Sequence, residues 1–402
     1  MSAEFLYKIY NEVRSELTEN ILPYWVDRVY QPKDKTFVGL IDFEEKPHPE
    51  HLKASIINSR ILWTFSAAYR HFPDDKYREV ADAAYQMLIK HFWDHEWGGV
   101  FWHIDQDLEP LDPKKQIYAQ AFAIYGLAEY VMAFGSEQAN QIAISLFMLI
   151  ERYGFDPEHG GYIEALSRDW GPVGDQRLSS RDLDVKKSMN THLHVLEAYT
   201  NLLRIWPDDE LKQQMQALLT QFIDHIIDPE RWQFKLFFDA DWTSKTDLIS
   251  YGHDIEGSWL LCEAVQVLKN EDLQKKIEAI AVRMARKVAE EGLDADGGLL
   301  YEAYPEKLKD GDKHWWPQNE AAIGFLNAYE LSKDPFFLEK LEQSWNFMKK
   351  ALIDQEHGEW HSRVSREGTR YPLPKVDEWK CPYHNGRFCI EIMTRIEKEL
   401  SF

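Results

Sequence analysis

The chain reads as an all-α protein, an (α/α)6 toroid of six helix hairpins that makes a single domain over residues 1–402. Three observations predict this. A turn recurs along the chain, amphipathic stretches of helical period separate its copies, and alternate stretches are apolar around most of their circumference. The turn has an early Asp followed by an aromatic residue or a Gly-Gly pair. It recurs as Asp94-HEWGGVFW, Asp156-PEHGGYIE, Asp228-PERWQFKLFFD, Asp294-ADGGLLYE and Asp354-QEHGEWHS, with a weaker first copy in Asp34-KTFVGLID. The intervals are about 60 to 70 residues, the mark of stacked supersecondary units.

Between the turns the apolar spacing predicts helices near 4–25, 52–71, 76–92, 116–134, 137–153, 188–206, 208–227, 254–269, 272–290, 318–332, 335–352 and 384–399. That is two per unit. One helix pair cannot bury its own apolar face, whereas six pairs closing into a double ring bury all of them. Segments such as IEGSWLLCEAVQVL and NEAAIGFLNAYEL suit burial on two sides and are placed in the inner ring. The more charged helices go outside. Loops 26–51, 95–115, 155–187 and 360–383 are long, and loops of that length in a compact domain usually serve function.

Composition narrows the chemistry. Hydrophobic residues make up 44% and the mean hydropathy is −0.50, with no uninterrupted apolar run near the roughly 18 residues of a membrane span. The N-terminal MSAEFLYKIYNEVRSEL has acidic residues and helical spacing in place of a signal peptide's basic start and apolar run, so a soluble, cytoplasmic protein is expected. Cys262, Cys381 and Cys389 show no paired spacing for a disulfide framework or a zinc site. A net charge of −22 disfavours nucleic acid and anionic lipid as partners. A neutral ligand fits better, and the 15 Trp, 19 Tyr and 21 Phe offer flat faces for sugar rings.

If helices alternate in direction, the six inner helices run parallel and their N-termini gather at one mouth. Polar residues at those starts then converge: Arg60, Tyr118, Asn190 with His192 and His194, His253 with Glu256, Trp315 and Trp316 with Gln318 and Glu320, and Trp379 with His384. Arg60, Asn190 and Glu320 each precede a Tyr by nine positions (Tyr69, Tyr199, Tyr329) and are read as one equivalent position. His194 shares the face of Asn190, while His192 points about 160° away. Glu256, three residues after His253, is expected to accept one imidazole N–H and leave the other nitrogen for chemistry. His384 should sit at a helix N-terminus capped by Asn385, which favours its neutral form. His192-x-His194 with Asp182 and Asp184 is not read as a metal site, because residues two apart on a helix diverge. The Gly-Gly turns lack the spacing of phosphate loops.

The segments KSMNTHLHVLEAYTNLLR, YGHDIEGSWLLCEA, WWPQNEAAIGFLNAY and DEWKCPYHNGRFCIEI resemble the signature segments of cellobiose 2-epimerases, in the N-acylglucosamine 2-epimerase superfamily. The resemblance runs from about Arg60 to Glu391. It implies an (α/α)6 barrel that converts the reducing-end glucose of a β-1,4-linked disaccharide to mannose, reversibly and without metal or other cofactor. Carried over by position, His253 and His384 would be the acid/base pair, Glu256 would orient His253, and His194 would assist. Arg60, Tyr118, Asn190 and Trp316 would hold the epimerised residue, Trp379 would stack on the neighbouring sugar, and Asp182 would reach a hydroxyl. A monomer or weak dimer is expected. The nearest rival is a monosaccharide enzyme of the N-acylglucosamine 2-epimerase or mannose isomerase type. A glycoside hydrolase would need two carboxylates across the bond, for which Glu320 and Asp182 could be imagined, and would leave the histidines idle. A noncatalytic sugar-binding protein would not need histidines poised near neutral pH.

Overall fold

A computed structural model describes residues 3–400. It contains twelve long helices: α1 (Ala3–Ser15, carried on to Val29 by Glu16–Ile21, Leu22–Tyr24 and Trp25–Val29), α2 (Ser55–His71), α3 (Asp75–Met87), α4 (Ile117–Phe134), α5 (Glu137–Leu149), α6 (Met189–Ile205), α7 (Asp209–Gln221), α8 (Tyr251–Leu268), α9 (Glu271–Glu291), α10 (Trp315–Ser332), α11 (Pro335–Ala351) and α12 (Tyr383–Leu400). The even-numbered helices pack in sequence, and α12 packs on α2 to close the inner ring. The expected toroid is present. One of its six pairs is formed by the chain ends, α1 against α12, with Tyr10 donating to Glu397 at 2.8 Å.

The inner helices are buried nearly throughout because they contact neighbours on both sides and the outer ring behind. Among the described helices, Ile117–Phe134 alone is long and apolar enough to cross a membrane, and 78% of it is buried against the rest of the fold. Five outer helices begin on a side-chain cap, from Asp74, Ser136, Asp208, Asn270 and Asp334. Five of the inner helices, α2, α4, α6, α8 and α10, follow directly on short strands, and the strand residue Ser188 also caps α6 through its hydroxyl. Two starts lie three residues earlier than the spacing predicts, since Gly252 and Pro317 both sit in a first turn whose N–H groups have no helical partner to lose.

Those strands stitch the mouth into a circle. Lys53–Ala54 pairs with His103–Ile104, Lys115–Gln116 with Ala165–Leu166, Lys187–Ser188 with Phe237–Phe238, Ile249–Ser250 with Glu302–Tyr304, and Lys313–His314 with Arg363–Val364. A bridge from Ile41 to Val376 closes it. Each strand leading into one inner helix thus grips the loop leading into the next.

The recurrent Asp turn is the other repeated device. In Asp94, Asp156, Asp228 and Asp354 one carboxylate oxygen takes two backbone N–H groups of the turn. A buried lysine from the end of the same loop holds the other oxygen in three cases: Lys115 at 3.0 Å from Asp94, Lys187 at 2.7 Å from Asp156 and Lys375 at 2.8 Å from Asp354. The fourth residue of an inner helix then clamps the far side of the turn. Gln120 exchanges two hydrogen bonds with Val100, Gln318 does the same with Leu299, and Asp254 accepts from the N–H of Phe234 at 2.7 Å. His192 occupies this position in α6, its Nδ1 donating to the Ser188 carbonyl and its Nε2 accepting from the N–H of Tyr162 at 2.9 Å. It is a structural histidine, and burial lowers its pKa to about 4.

Gln makes this clamp in two other repeats, so His192→Gln should keep stability near the wild type at pH 8, whereas His192→Ala, which strands the buried N–H of Tyr162, should cost about 1–3 kcal/mol. A neutral imidazole whose folded pKa is depressed contributes stability that is fully present above its unfolded value and lost as pH falls. His192→Gln should therefore gain about 2 kcal/mol on the wild type between pH 8 and pH 5. Denaturant unfolding at the two pH values tests this, and a pH-independent difference would refute the assignment.

Candidate active site

A cavity of about 840 Å³ opens at the mouth, within the range of pockets that enclose small ligands. Arg60, Tyr118, Asn190, His194, His253, Glu256, Trp316 and His384 line it, with Trp379 and Asp182 from the mouth loops. The ten residues singled out from the sequence therefore converge. They reach it in two layers. Counted from the helix starts, Tyr118, Asn190, Trp316 and His384 are second residues, and Arg60, His194, Glu256 and Glu320 are sixth residues one turn deeper. This corrects the equivalence drawn from the Tyr spacing: Asn190 shares a face with Arg60 and Glu320 but not their depth, and His194 is their true counterpart.

The upper layer is aromatic. The Trp316 ring lies 4.8 Å from that of His253 and 5.6 Å from that of His384, touching both imidazoles. It can do so because the second residue of α8 is Gly252, where a Cβ would come within 2.7 Å of the indole. Trp379 is half-buried at the rim, 6.0 Å from Trp102 and 6.4 Å from Tyr118. Asp182 is held in its loop by the N–H and hydroxyl of Ser179. Arg60 donates to the Tyr118 hydroxyl at 2.9 Å and lies 4.4 Å over the Phe122 ring, while its Nε and the Asn190 Oδ1 are buried with no protein partner.

The deeper layer is ionic. His384 Nδ1 is 2.7 Å from Glu320, and His194 Nδ1 is 2.7 Å from Glu197. His253 Nδ1 instead meets the Ser250 hydroxyl at 2.7 Å. The expected His253–Glu256 pair does not form, because Glu256 is drawn to Arg387 at 2.8 Å. The i,i+3 spacing is realised on the neighbouring helix, between His194 and Glu197. Asn385 likewise turns away from capping and donates to Glu359. Arg387, wholly buried, binds Glu197, Glu256 and Glu320 together and donates also toward the Tyr383 hydroxyl. Ligand atoms of Glu256, Glu320 and His384 lie within 4.8 Å of one another, and the cation shared by the two carboxylates is the Arg387 guanidinium.

Burial dominates the titration of these groups. It pushes His253, His194 and His384 below the ordinary imidazole value, for His384 with help from the Arg60 and Arg387 charges. Burial thus biases each of these rings toward its neutral form. Burial also pushes Glu256 and Glu320 upward, whereas Glu197, against that penalty, is held down to about 2 by Arg387 and His194. The sequence reading missed Glu197, Ser250 and Arg387 as site residues. Their only local signal was a spacing of three from His194, His253 and His384.

Two or three imidazoles around a cationic fork can move protons at a carbon whose neighbouring oxygens gain charge. The N-acylglucosamine 2-epimerase (GlcNAc 2-epimerase) family matches residues 37–386. The chain is 45% identical to the cellobiose 2-epimerase of Bacteroides fragilis over 95% of its own length and 98% of that protein's, and 37% identical to that of Dictyoglomus turgidum over 96% and 98%. The structure of cellobiose 2-epimerase from Bacillus thermoamylovorans superposes with a TM-score of 0.93 at 39% identity, covering 97% of this chain and all of that one. The chain belongs to the N-acylglucosamine 2-epimerase family, and as an enzyme it is a carbohydrate 2-epimerase, an isomerase.

Proposed function

We propose that the protein epimerises the reducing-end glucose of a β-1,4-linked disaccharide such as cellobiose, lactose or mannobiose at C2, with His384 and His253 as the proton carriers. The observation that carries this reading is the pair of neutral imidazoles on either edge of Trp316, above the Arg60 fork, in a cavity that continues past Trp379. A monosaccharide needs only the floor, and the aromatic rim beyond it suits a second ring.

The pyranose opens first, because only the free aldehyde acidifies the C2–H bond. His384, with Nδ1–H directed to Glu320, presents the lone pair of Nε2. It takes the C2 proton, the C–H electron pair passes into a cis-enediolate, and Glu320 stabilises the imidazolium. Arg60 and Tyr118 face the oxygens that gain charge. The negative charge of the enediolate favours the imidazolium of His253 that burial alone disfavours, so this ring takes up a proton from solvent as the intermediate forms and returns it to the opposite face of C2, while Ser250 holds the ring. The cycle ends with the proton on His384 and none on His253, and exchange with solvent resets the pair. His194 on Glu197 and Asn190 hold the sugar hydroxyls, and Trp379 stacks on the neighbouring ring.

Incubation with cellobiose in D2O should yield glucosyl-mannose carrying deuterium at C2. Liberated glucose would point to hydrolysis, and turnover of mannose in preference to cellobiose would favour the monosaccharide reading. His253→Ala and His384→Ala should each abolish exchange while sugar still binds, and near wild-type exchange in either would break the assignment of that residue. Because the imidazoles are held low, the base form persists to lower pH. The acid limb of kcat/KM should therefore lie well below the ordinary imidazole value of about 6.5, and a limb at or above it would contradict the described electrostatics.

A further inference from the structure

Arg387 does not line the cavity, yet Glu256, which does, meets Glu197 and Glu320 on it. Glu197, Glu256 and Glu320 come from three different inner helices, α6, α8 and α10, and Arg387 comes from a fourth, α12. Glu256 and Glu320 share one guanidinium nitrogen, at 2.8 and 2.7 Å, and Glu197 takes another. The rings of Trp259 and Tyr383 cover the cation at 4.8 and 4.3 Å. Two of the carboxylates reach onward: Glu197 uses its other oxygen for His194, and Glu320 accepts from both Arg387 and His384 through one oxygen.

A structural tie between helices would be served as well or better by apolar packing, since three buried carboxylates on one cation carry a large desolvation cost. The arrangement makes sense if the cluster acts on the imidazoles. We propose that Arg387 is a positioning residue for the proton transfer: by holding three carboxylates on one guanidinium, it fixes the partners of His194 and His384 and couples the charge states of the two rings. The inference rests on the C2-epimerase reading of the site.

The charged and titratable groups facing His384 include Glu320, Glu256, Arg60, Arg387, His194 and Glu197. Arg387 acts on His384 in two ways, by its charge, which favours the neutral ring, and by its geometry, which aims Glu320. Two substitutions separate them. Arg387→Lys keeps the charge but replaces a planar fork by a point contact that cannot span three carboxylates. Arg387→Met removes both.

The test measures kcat and KM for C2 epimerisation, the thermal melt, and the NMR titration of the histidine ring protons in the free protein. For Arg387→Lys the expected result is a cooperative melt, KM within about threefold and kcat reduced about 10- to 100-fold, with the histidine titrations near those of the wild type. For Arg387→Met, the His194 and His384 titrations and the acid limb of kcat/KM should move to higher pH by about a unit or more. Should Arg387→Met fail to fold, Glu197→Gln carries the same question: the His384 signal should shift, and by more than it does when Glu197→Gln is made together with Arg387→Lys, because the fork that joins Glu197 to the partner of His384 is then lost. The proposal is overturned if a folded Arg387→Met keeps the wild-type titrations, if Glu197→Gln leaves His384 unmoved or moves it equally in the Arg387→Lys background, or if Arg387→Lys loses melting temperature and activity together with kcat and KM changing alike. Absence of C2 deuterium exchange in the wild type would sink the epimerase reading, whereas the titrations judge the coupling by themselves.

Discussion

The packing of α12 against α2 is the contact on which the rest depends. It turns a row of helix pairs into a closed ring, so every inner helix has a neighbour on each side and all six start at the same end. Without closure, two inner faces would be left to solvent, and the residues at the first and last inner helices, Arg60 and His384, would sit at opposite ends of an open array. Closure also explains why the outer helix of the last pair comes from the N-terminus: α1 fills the groove behind α12, and Trp25, Glu16 and Asn20 bind the last recurrent turn through Glu359 and Trp360.

Within that frame, helix phase separates stability from chemistry. The second residues Tyr118, Asn190, Trp316 and His384 and the sixth residues Arg60, His194 and Glu256 line the cavity, whereas the fourth residues of α4, α6, α8 and α10 face the recurrent turn. His192 and His194 stand two residues apart in α6 and do different things for this reason alone. One is interchangeable in kind with glutamine and aspartate in other repeats. The other has a buried carboxylate partner and an aromatic wall, with the Tyr118 and Phe122 rings at 5.0 and 4.8 Å.

The floor of the cavity concentrates charge where water is scarce. Burial there favours neutral imidazoles and raises two of the three glutamates, while the guanidiniums of Arg60 and Arg387 are the groups that hold charge. Such a floor stabilises an anion that forms during reaction more than it stabilises a neutral sugar. The stitched ring of strands above it fixes the mouth loops, including those that carry Trp379 and Asp182.

The ring and the residues that line the cavity were legible in the amino-acid order, whereas Glu197, Ser250 and Arg387 were not. Its repeat period set the number of helix pairs, and the parallel starts brought Arg60, Asn190, His253, Trp316 and His384 together, because each repeat needs the same packing on both sides. The phase argument parted His194 from His192 on 3.6-residue geometry alone. Hydrogen-bond partners were decided only by tertiary structure. His253–Glu256 and His194–Glu197 have the same spacing, yet one pair forms and the other does not, because Arg387 on a distant helix captures Glu256 and Ser250 takes its place. A spacing along one helix states which groups can meet. Which of them do is settled by the charges that other helices bring to the same buried point.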